Sequence, residues 1–235
     1  ITFSTAVAYS REHILMLADK YHDVSIFERV ERMAWTKAQI EMRHLNITPG
    51  EAHLFQRLAG RVLFSDSSLR PRSDVLMLNN QTQSELWKYG ISGDLPIVLV
   101  RIGQSDDIDT VRQILRGHEY LRLKGLGIDL VILNDHPPSY LQTLQEDIQL
   151  LIRSTGLQTL QGKPGGVYVL RADVMADQDK ILLHTVARAV FVTERGTLEE
   201  QLARRPVEDN KMPAPFVPRF AARTYPEEPA ASVSG

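Results

Sequence analysis

The 235-residue sequence contains no cysteine, which excludes disulfide bonds, thiolate metal sites and a cysteine nucleophile. An excess of charge of one sign is also missing, because 27 basic and 29 acidic residues give a net charge of −2. A nucleic-acid partner is therefore not expected, since such proteins need a basic surface that displaces counterions. No apolar run reaches the roughly 20 residues that cross a bilayer, so this segment is predicted to be soluble and without direct membrane insertion.

Motifs that bind cofactors or metals are missing as well. The seven histidines show no HExxH or similar ligand spacing, and His118 is predicted to be a satisfied core residue. No GxGxxG supports a dinucleotide fold, and the glycine-rich stretch 162–166 precedes a predicted strand, whereas a phosphate-binding P-loop follows one. Ser92 also precedes a strand, so it does not form a nucleophile elbow. No cofactor, metal ion or catalytic residue is predicted.

The residues that are present indicate a globular protein with extended ends, since 43% are hydrophobic and 24% charged. In residues 1–8 apolar and polar side chains alternate, which predicts the terminal strand of an upstream β-sandwich. Residues 9–93 are predicted to be a helical linker region, with helices at 10–21, at 24–45 and from Thr48, where Glu51 completes a capping box. Residues 205–235 hold six of the twelve prolines, a composition typical of a linker.

Residues 94–204 change to an alternating pattern. Continuous apolar runs at 95–102, 128–133, 167–170 and 190–192 predict buried strands. Amphipathic stretches between and after them predict helices. Strict alternation with short connections indicates right-handed β-α-β units and a parallel sheet. The predicted fold class is therefore α/β, an N-terminal helical segment followed by a small four-stranded parallel sheet with flanking helices on both faces.

Polar side chains follow each predicted strand, at the place where open parallel sheets bind ligands. They are Arg101, Gln104, Asn134, Asp135, His136, Arg171, Asp173, Thr193 and Glu194. A sugar or phosphate site could be built from them. The alternative is that strand ends always meet polar loops, so the cluster by itself does not indicate a function.

His136 beside Asp135 could form an acid–base pair. However, neighbouring residues in an extended segment point to opposite faces. The two prolines that follow, Pro137 and Pro138, preset the start of the next helix. The favoured interpretation of this cluster is a rigid turn between a strand and a helix.

Trp87, Tyr89 and Asp94 are further candidate ligand contacts. The two aromatic residues are the kind of platform on which sugars stack, and the alternative is that they pack an irregular segment onto the adjacent domain. Asp94 follows Gly90 and Gly93, which permit positive φ in a tight turn. Asp94 therefore either holds this turn, which is favoured, or projects into a neighbouring site.

Four stretches carry a resemblance to a known family: residues 86–102 (LWKYGISGDLPIVLVRI), 118–125 (HEYLRLKG), 129–134 (DLVILN) and 164–173 (PGGVYVLRAD). Together they resemble cyclic β-1,2-glucan synthases, very large bacterial inner-membrane enzymes with glycosyltransferase and cyclising modules. These enzymes also contain a region similar to cellobiose-type glycoside phosphorylases. The resemblance covers most of the chain and implies an internal segment of that phosphorylase-like region.

The resemblance implies a parent that uses UDP-glucose and controls glucan chain length, with this segment on the cytoplasmic side of the bacterial inner membrane. No catalytic acid of the family matches a position here, so the fragment alone is expected to be non-catalytic. Its expected role is structural or carbohydrate-contacting, with neighbouring modules of the parent chain as partners and β-1,2-glucan as a candidate ligand.

The alternative is a freestanding α/β sugar-binding or sugar-processing domain with a site at the carboxyl ends of the strands. That site would use Asn134, Asp135, Arg171 and Asp173. A scaffold should expose a broad apolar patch on its early helices. A freestanding enzyme should instead show a deep pocket at the strand ends where charged groups converge.

Overall fold

A computed structural model describes residues 5–64, 66–137 and 143–204. The predicted strand of residues 1–8 falls partly on residues 1–4, and the predicted linker on 205–235; both stretches lie outside the described residues. Residues 5–8 belong to no helix or strand. The predicted domain boundaries stay predictions.

The N-terminal part is helical, as predicted, and its helices are α1 (Arg11–Lys20), α2 (Val24–His44), α3 (Pro49–Leu63) and the single-turn α4 (Ser73–Leu76). Ser10 and Asp23 cap the first two helices by accepting hydrogen bonds from amides of the first turn. The predicted capping box of α3 is confirmed. The Glu51 carboxylate accepts from the Thr48 amide at 2.8 Å, and the Thr48 hydroxyl accepts from the Glu51 amide at 3.2 Å.

Helix α2 has an apolar face that the described residues leave largely uncovered. This α2 apolar face consists of Ile26, Phe27, Val30, Met33, Ala34 and Ile40. Phe27 is 67% exposed, Met33 64% and Ile40 61%. The end of α2 contacts the rest of the protein, because Glu41 pairs with Lys124 and Met42 packs against the core. Within the described ranges, neither α2 nor any other helix is long and apolar enough to cross a membrane.

The second part is a four-stranded parallel sheet formed by β1 (Ile97–Ile102), β2 (Asp129–Asn134), β3 (Val167–Arg171) and β4 (Ala189–Val192), in the order β3-β2-β1-β4. The helices that follow these strands are α5 (Ile108–Leu123), α6 (Thr143–Arg153), α7 (Asp177–Val186) and α8 (Leu198–Ala203). In the register, Ile97 lies opposite Asp129 and Val98 opposite Ala189. The predicted fold class is confirmed.

Apolar layers cover both faces of the sheet. Val98 and Val100 of β1 belong to the layer that contains α3, α5, α6 and α8. Leu99, which points the opposite way, belongs to the layer that contains α7 and the 3-10 helix Gln83–Tyr89. The sheet is thus the middle of three layers.

Helix α3 is part of this packing, although it lies in the predicted linker region. It buries five residues, including Phe55 and Leu58. Phe55 lies against Gly117 of α5, where an added Cβ would be 2.9 Å from the Phe55 ring. The missing side chain lets the two helices approach closely.

A glutamine caps the last residue of the β4 edge of the sheet. Gln201 of α8 is 2% exposed. Its Nε2 donates to the Val192 carbonyl at 3.0 Å and to the Gly196 carbonyl at 2.8 Å, and its Oε1 accepts from the Val192 amide at 3.1 Å. The side-chain amide therefore makes with Val192 the bonds that a neighbouring strand would make.

Candidate functional site

The candidate ligand contacts lie in two places at opposite ends of the sheet. Asp94 precedes β1 and lies near Trp87 and the 3-10 helix Gln83–Tyr89. The other candidates follow the strands at their carboxyl ends; they are Arg101, Asn134, Asp135, His136, Arg171 and Asp173. The residues of the two groups do not form one site.

At the carboxyl ends, Arg101 and Asp135 form an ion pair. The Asp135 amide also donates to the Ile102 carbonyl at 2.8 Å, which extends the pairing of β1 and β2 by one residue. Both side chains are 34% exposed. Asp135 therefore fixes the position of the Arg101 guanidinium at the carboxyl ends of β1 and β2.

Asn134 and His136 are occupied by bonds within the turn. Asn134 donates from Nδ2 to Gln145 at 3.0 Å, and its Oδ1 accepts from the His136 amide at 3.1 Å. The His136 ring donates from Nδ1 to the Gly103 carbonyl at 2.8 Å. These bonds agree with a rigid turn between strand and helix and give no acid–base pair between His136 and Asp135.

Arg171 and Asp173 bind each other at the end of the edge strand β3. The guanidinium donates two hydrogen bonds to the carboxylate, at 3.0 and 2.5 Å. The hydrogen bonds from Arg171 lower the pKa of Asp173, and the same bonds raise the pKa of Arg171. The Arg171–Asp173 pair shares no residue with the Arg101–Asp135 pair, so these four candidate contacts form two ion pairs rather than one shared site.

Tyr89 is held by a buried carboxylate. Its hydroxyl donates to Asp179 of α7 at 2.6 Å, and Asp179 also accepts from Lys88 at 2.7 Å and from Gln81 at 2.9 Å. Burial and, next to it, the bond to Asp179 raise the pKa of Tyr89 to about 12. Burial also pushes the pKa of Asp179 upward, but the three donors outweigh it and the pKa is lowered. Tyr89 thus attaches the 3-10 helix Gln83–Tyr89 to α7. This contact agrees with the alternative in which Tyr89 has a packing role.

Trp87 differs from Tyr89 because its ring is 65% exposed. It lies beside a shallow depression of about 360 Å³ that is lined by Gln83, Trp87, Gly90, Ile91, Ser92 and Asp94. The Ser92 carbonyl accepts from the Trp87 ring nitrogen at 3.3 Å and from Gln83 at 2.8 Å. Positive φ at Gly90 and Gly93 forms the turn, as predicted. An exposed ring, a carboxylate and an amide therefore line one surface.

A larger cleft lies at the carboxyl end of β1 and β4, and sequence reasoning missed most of it. Its volume is about 510 Å³, and among the candidate contacts only Arg101 lines it. The other basic residues of its wall are Arg70, Arg72, Lys180, His184 and Arg195. They come from segments far apart in the sequence, so no local pattern indicates that they meet. Among the described residues, no group of acidic and histidine side chains could hold a metal ion.

Comparison with known proteins agrees with the predicted resemblance. No protein-family model matches the chain. Over 205 residues the chain is 35% identical to the cyclic β-(1,2)-glucan synthase NdvB of Rhizobium meliloti (strain 1021). The match covers 87% of this chain and 7% of that protein, so the chain corresponds to an internal segment of a much longer relative. The predicted resemblance is confirmed.

Proposed function

We propose that this chain is a non-catalytic segment of a cyclic β-1,2-glucan synthase and that it holds neighbouring modules of that enzyme in register. Helices α1 and α2 are the docking elements, and the α/β part is the rigid body to which they are attached. The observation that carries the proposal is the α2 apolar face, which is exposed over most of a 21-residue helix.

The α2 apolar face exposes more large apolar side chains than is expected for a helix that stays in contact with water. Burial of a side chain the size of Phe27, Met33 or Ile40 stabilises a protein by about 1.5–3 kcal/mol. An exposed stripe at helical spacing is typical of an interface. Helix α1 buries none of its residues and adds exposed Leu15 and Met16 to the same part of the chain.

The proposed occupant of this face is a neighbouring module of the same polypeptide. The matched residues make up only 7% of the relative, so a parent of that size would contain ample chain to cover two helices. This supports an intramolecular contact over a second copy of the segment. The cytoplasmic location of the parent stays a prediction.

Hydrogen exchange tests the docking role. The amides of α2 should exchange slowly in the complete synthase and much faster in the 235-residue chain, because the partner module is missing there. Phe27→Glu together with Met33→Glu should speed exchange in the complete synthase by at least about tenfold, since charged side chains would face an apolar surface.

Trp35→Glu is the matched control. Trp35 is 67% exposed, but it lies on the side of α2 opposite the apolar face, so its substitution should leave exchange of α2 nearly unchanged. Equal exchange of α2 in the complete synthase and in the 235-residue chain would refute the proposal. Slow exchange in the short chain together with dimerisation would refute it as well, because a second copy would then be the partner.

A carbohydrate contact at Trp87 is the second candidate function. The specific observation is the exposed ring beside Gln83 and Asp94, because sugars stack on aromatic faces while their hydroxyls bond to amides and carboxylates. In this proposal the depression holds part of a β-1,2-glucan chain.

Calorimetry with β-1,2-gluco-oligosaccharides tests this contact. Trp87→Ala should weaken binding at least about tenfold, since the stacking surface is lost. Trp35→Ala removes an equally exposed tryptophan elsewhere and should leave the affinity unchanged. Absence of saturable heat up to about 10 mM sugar, or equal affinity of the Trp87→Ala variant, would exclude the contact.

A further inference from the structure

The cleft at the carboxyl end of β1 and β4 is lined by an excess of positive charge, although the protein as a whole has a slightly negative net charge. The whole chain carries a net charge of −2. Among the described residues, five cationic side chains line the cleft, namely Arg70, Arg72, Arg101, Lys180 and Arg195, and Asp177 is the one carboxylate. Asp74 pairs with Arg72 and Asp135 with Arg101. Even with these two acids counted, two positive charges remain.

Other parts of the protein hold several of these cations in place. Arg70 donates to the Thr185 carbonyl at 2.8 Å, and Lys180 pairs with Asp177 at 3.0 Å. The Nε–H groups of Arg70 and Arg101 are buried and have no acceptor in the described part of the chain. The Arg195 guanidinium also has no hydrogen-bond or ion-pair partner there. Much of the donor capacity of the guanidinium groups is therefore unused.

The remaining wall of the cleft is apolar. Leu69, Ile181 and Val190 form part of it, and such surfaces strengthen the attraction between a cation and an anion because they exclude water. Burial lowers the pKa of His184; Arg101 and Arg195 act in the same direction, whereas the bond to the Lys180 carbonyl and the charge of Asp135 act against it.

We propose that this cleft binds a phosphate-bearing small molecule. The phosphate lies against Arg195, Lys180 and Arg101, because guanidinium groups bind phosphate oxygens in pairs. The rest of the ligand lies against the apolar wall. A volume of about 510 Å³ falls in the range of small-molecule sites, roughly 300–1,000 Å³, and exceeds the space that a bare phosphate ion fills. The inference does not rest on the docking role, since none of the residues that carry it belongs to α1 or α2.

Titration calorimetry of the 235-residue chain at low salt tests this proposal. The probes are inorganic phosphate, glucose 1-phosphate, uridine diphosphate and, as the uncharged comparison, glucose. At least one phosphate probe should bind saturably, whereas glucose should not. Binding of glucose 1-phosphate alone would identify a sugar phosphate as the ligand, and binding of uridine diphosphate alone a nucleotide. A rise in salt from about 20 to about 200 mM should weaken either.

Arg195→Gln should weaken phosphate binding about tenfold, because one charge-assisted bond is lost, and Lys180→Gln should act in the same direction. Both side chains lie at the surface, so the fold should survive, which circular dichroism checks. Arg122→Gln removes an exposed positive charge at the end of α5 and should change the affinity by less than about twofold. The proposal is wrong if no phosphate probe binds up to about 10 mM, or if Arg195→Gln and Arg122→Gln weaken binding equally.

Discussion

Replacing Gly166 with alanine should destabilise the protein by about 3–5 kcal/mol, since the new methyl group overlaps with backbone rather than with a movable side chain. An added Cβ would lie 1.8 Å from the Leu160 carbonyl oxygen and 2.9 Å from the Lys163 carbonyl oxygen. Neither oxygen can rotate away, so the turn before β3 must shift as a whole.

That shift would reach the sheet itself. The Gly166 carbonyl accepts from the Leu130 amide of β2 at 2.9 Å, and the next residue, Val167, accepts from the Gly162 amide at 2.9 Å. Moving the turn lengthens both bonds, and β3 loses its fixed position at the edge. Chemical denaturation monitored by circular dichroism gives the free energy of unfolding of the variant.

Gly162→Ala is the matched control in the same turn. Gly162 has a positive φ of 69°, but nothing lies within 4 Å of an added Cβ. Its substitution should therefore cost only the conformational strain, about 1–2 kcal/mol. If the two variants lost equal stability, the contact with the Leu160 carbonyl would not be the cause.

His118 should make the protein less stable as the pH falls from about 6.5 to about 4, by up to about 3 kcal/mol. The side chain is 1% exposed in α5, and its Nε2 donates to the Ile128 carbonyl at 3.0 Å. The pKa of His118 is lowered to about 4, mainly by burial and to a smaller extent by nearby Arg122, whereas the bond to Ile128 acts in the opposite direction.

The sign follows from which state binds the proton. Above the ordinary histidine pKa of about 6.5, the ring is neutral in the folded and unfolded states, and its full contribution to stability is present. Below that pH the imidazole binds a proton in the unfolded chain but stays neutral in the folded protein. Unfolding therefore becomes more favourable until the pH reaches the pKa that His118 has in the folded state. Below that value both states are protonated and no further stability is lost.

His118→Gln isolates this contribution, because glutamine can donate to the Ile128 carbonyl but does not titrate. Denaturation at several pH values between about 7 and about 4.5 should show a flatter loss of stability in the variant. His22→Gln, which replaces an exposed histidine, serves as the control for the loss of a histidine as such. A pH dependence in His118→Gln as steep as that of the parent chain would contradict the argument.

Local chemistry made the fold predictable. Helix α3 is predictable because the capping box at Thr48 and the proline at its first position leave little choice of conformation. The strand ending at Ile102 is predictable because a near-continuous apolar run is typical of a strand buried on both faces, and because strands and helices alternate in the residues that follow. Helices are also predictable where apolar residues recur at helical spacing. The same spacing does not identify the surface against which α2 packs.

The candidate sites were less predictable, because they depend on distance in space. Asp135 and Arg101 were named as strand-end residues, but their ion pair became visible only in the sheet register. Arg70 and Arg195 have ordinary sequence neighbours and were not named at all. They meet because α7 and the end of β4 bring separate segments together, and a single sequence contains no measure of that proximity.

The Gln201 edge has a consequence for assembly. An exposed edge strand has unpaired amide and carbonyl groups, and extended segments of other chains, including chains that are still folding, can pair with them. Here an amide side chain already satisfies the Val192 peptide groups, so an incoming chain would have to displace it from a buried position before pairing. A module protected in this way can fold inside a very long polypeptide with less risk of misassembly with its neighbours.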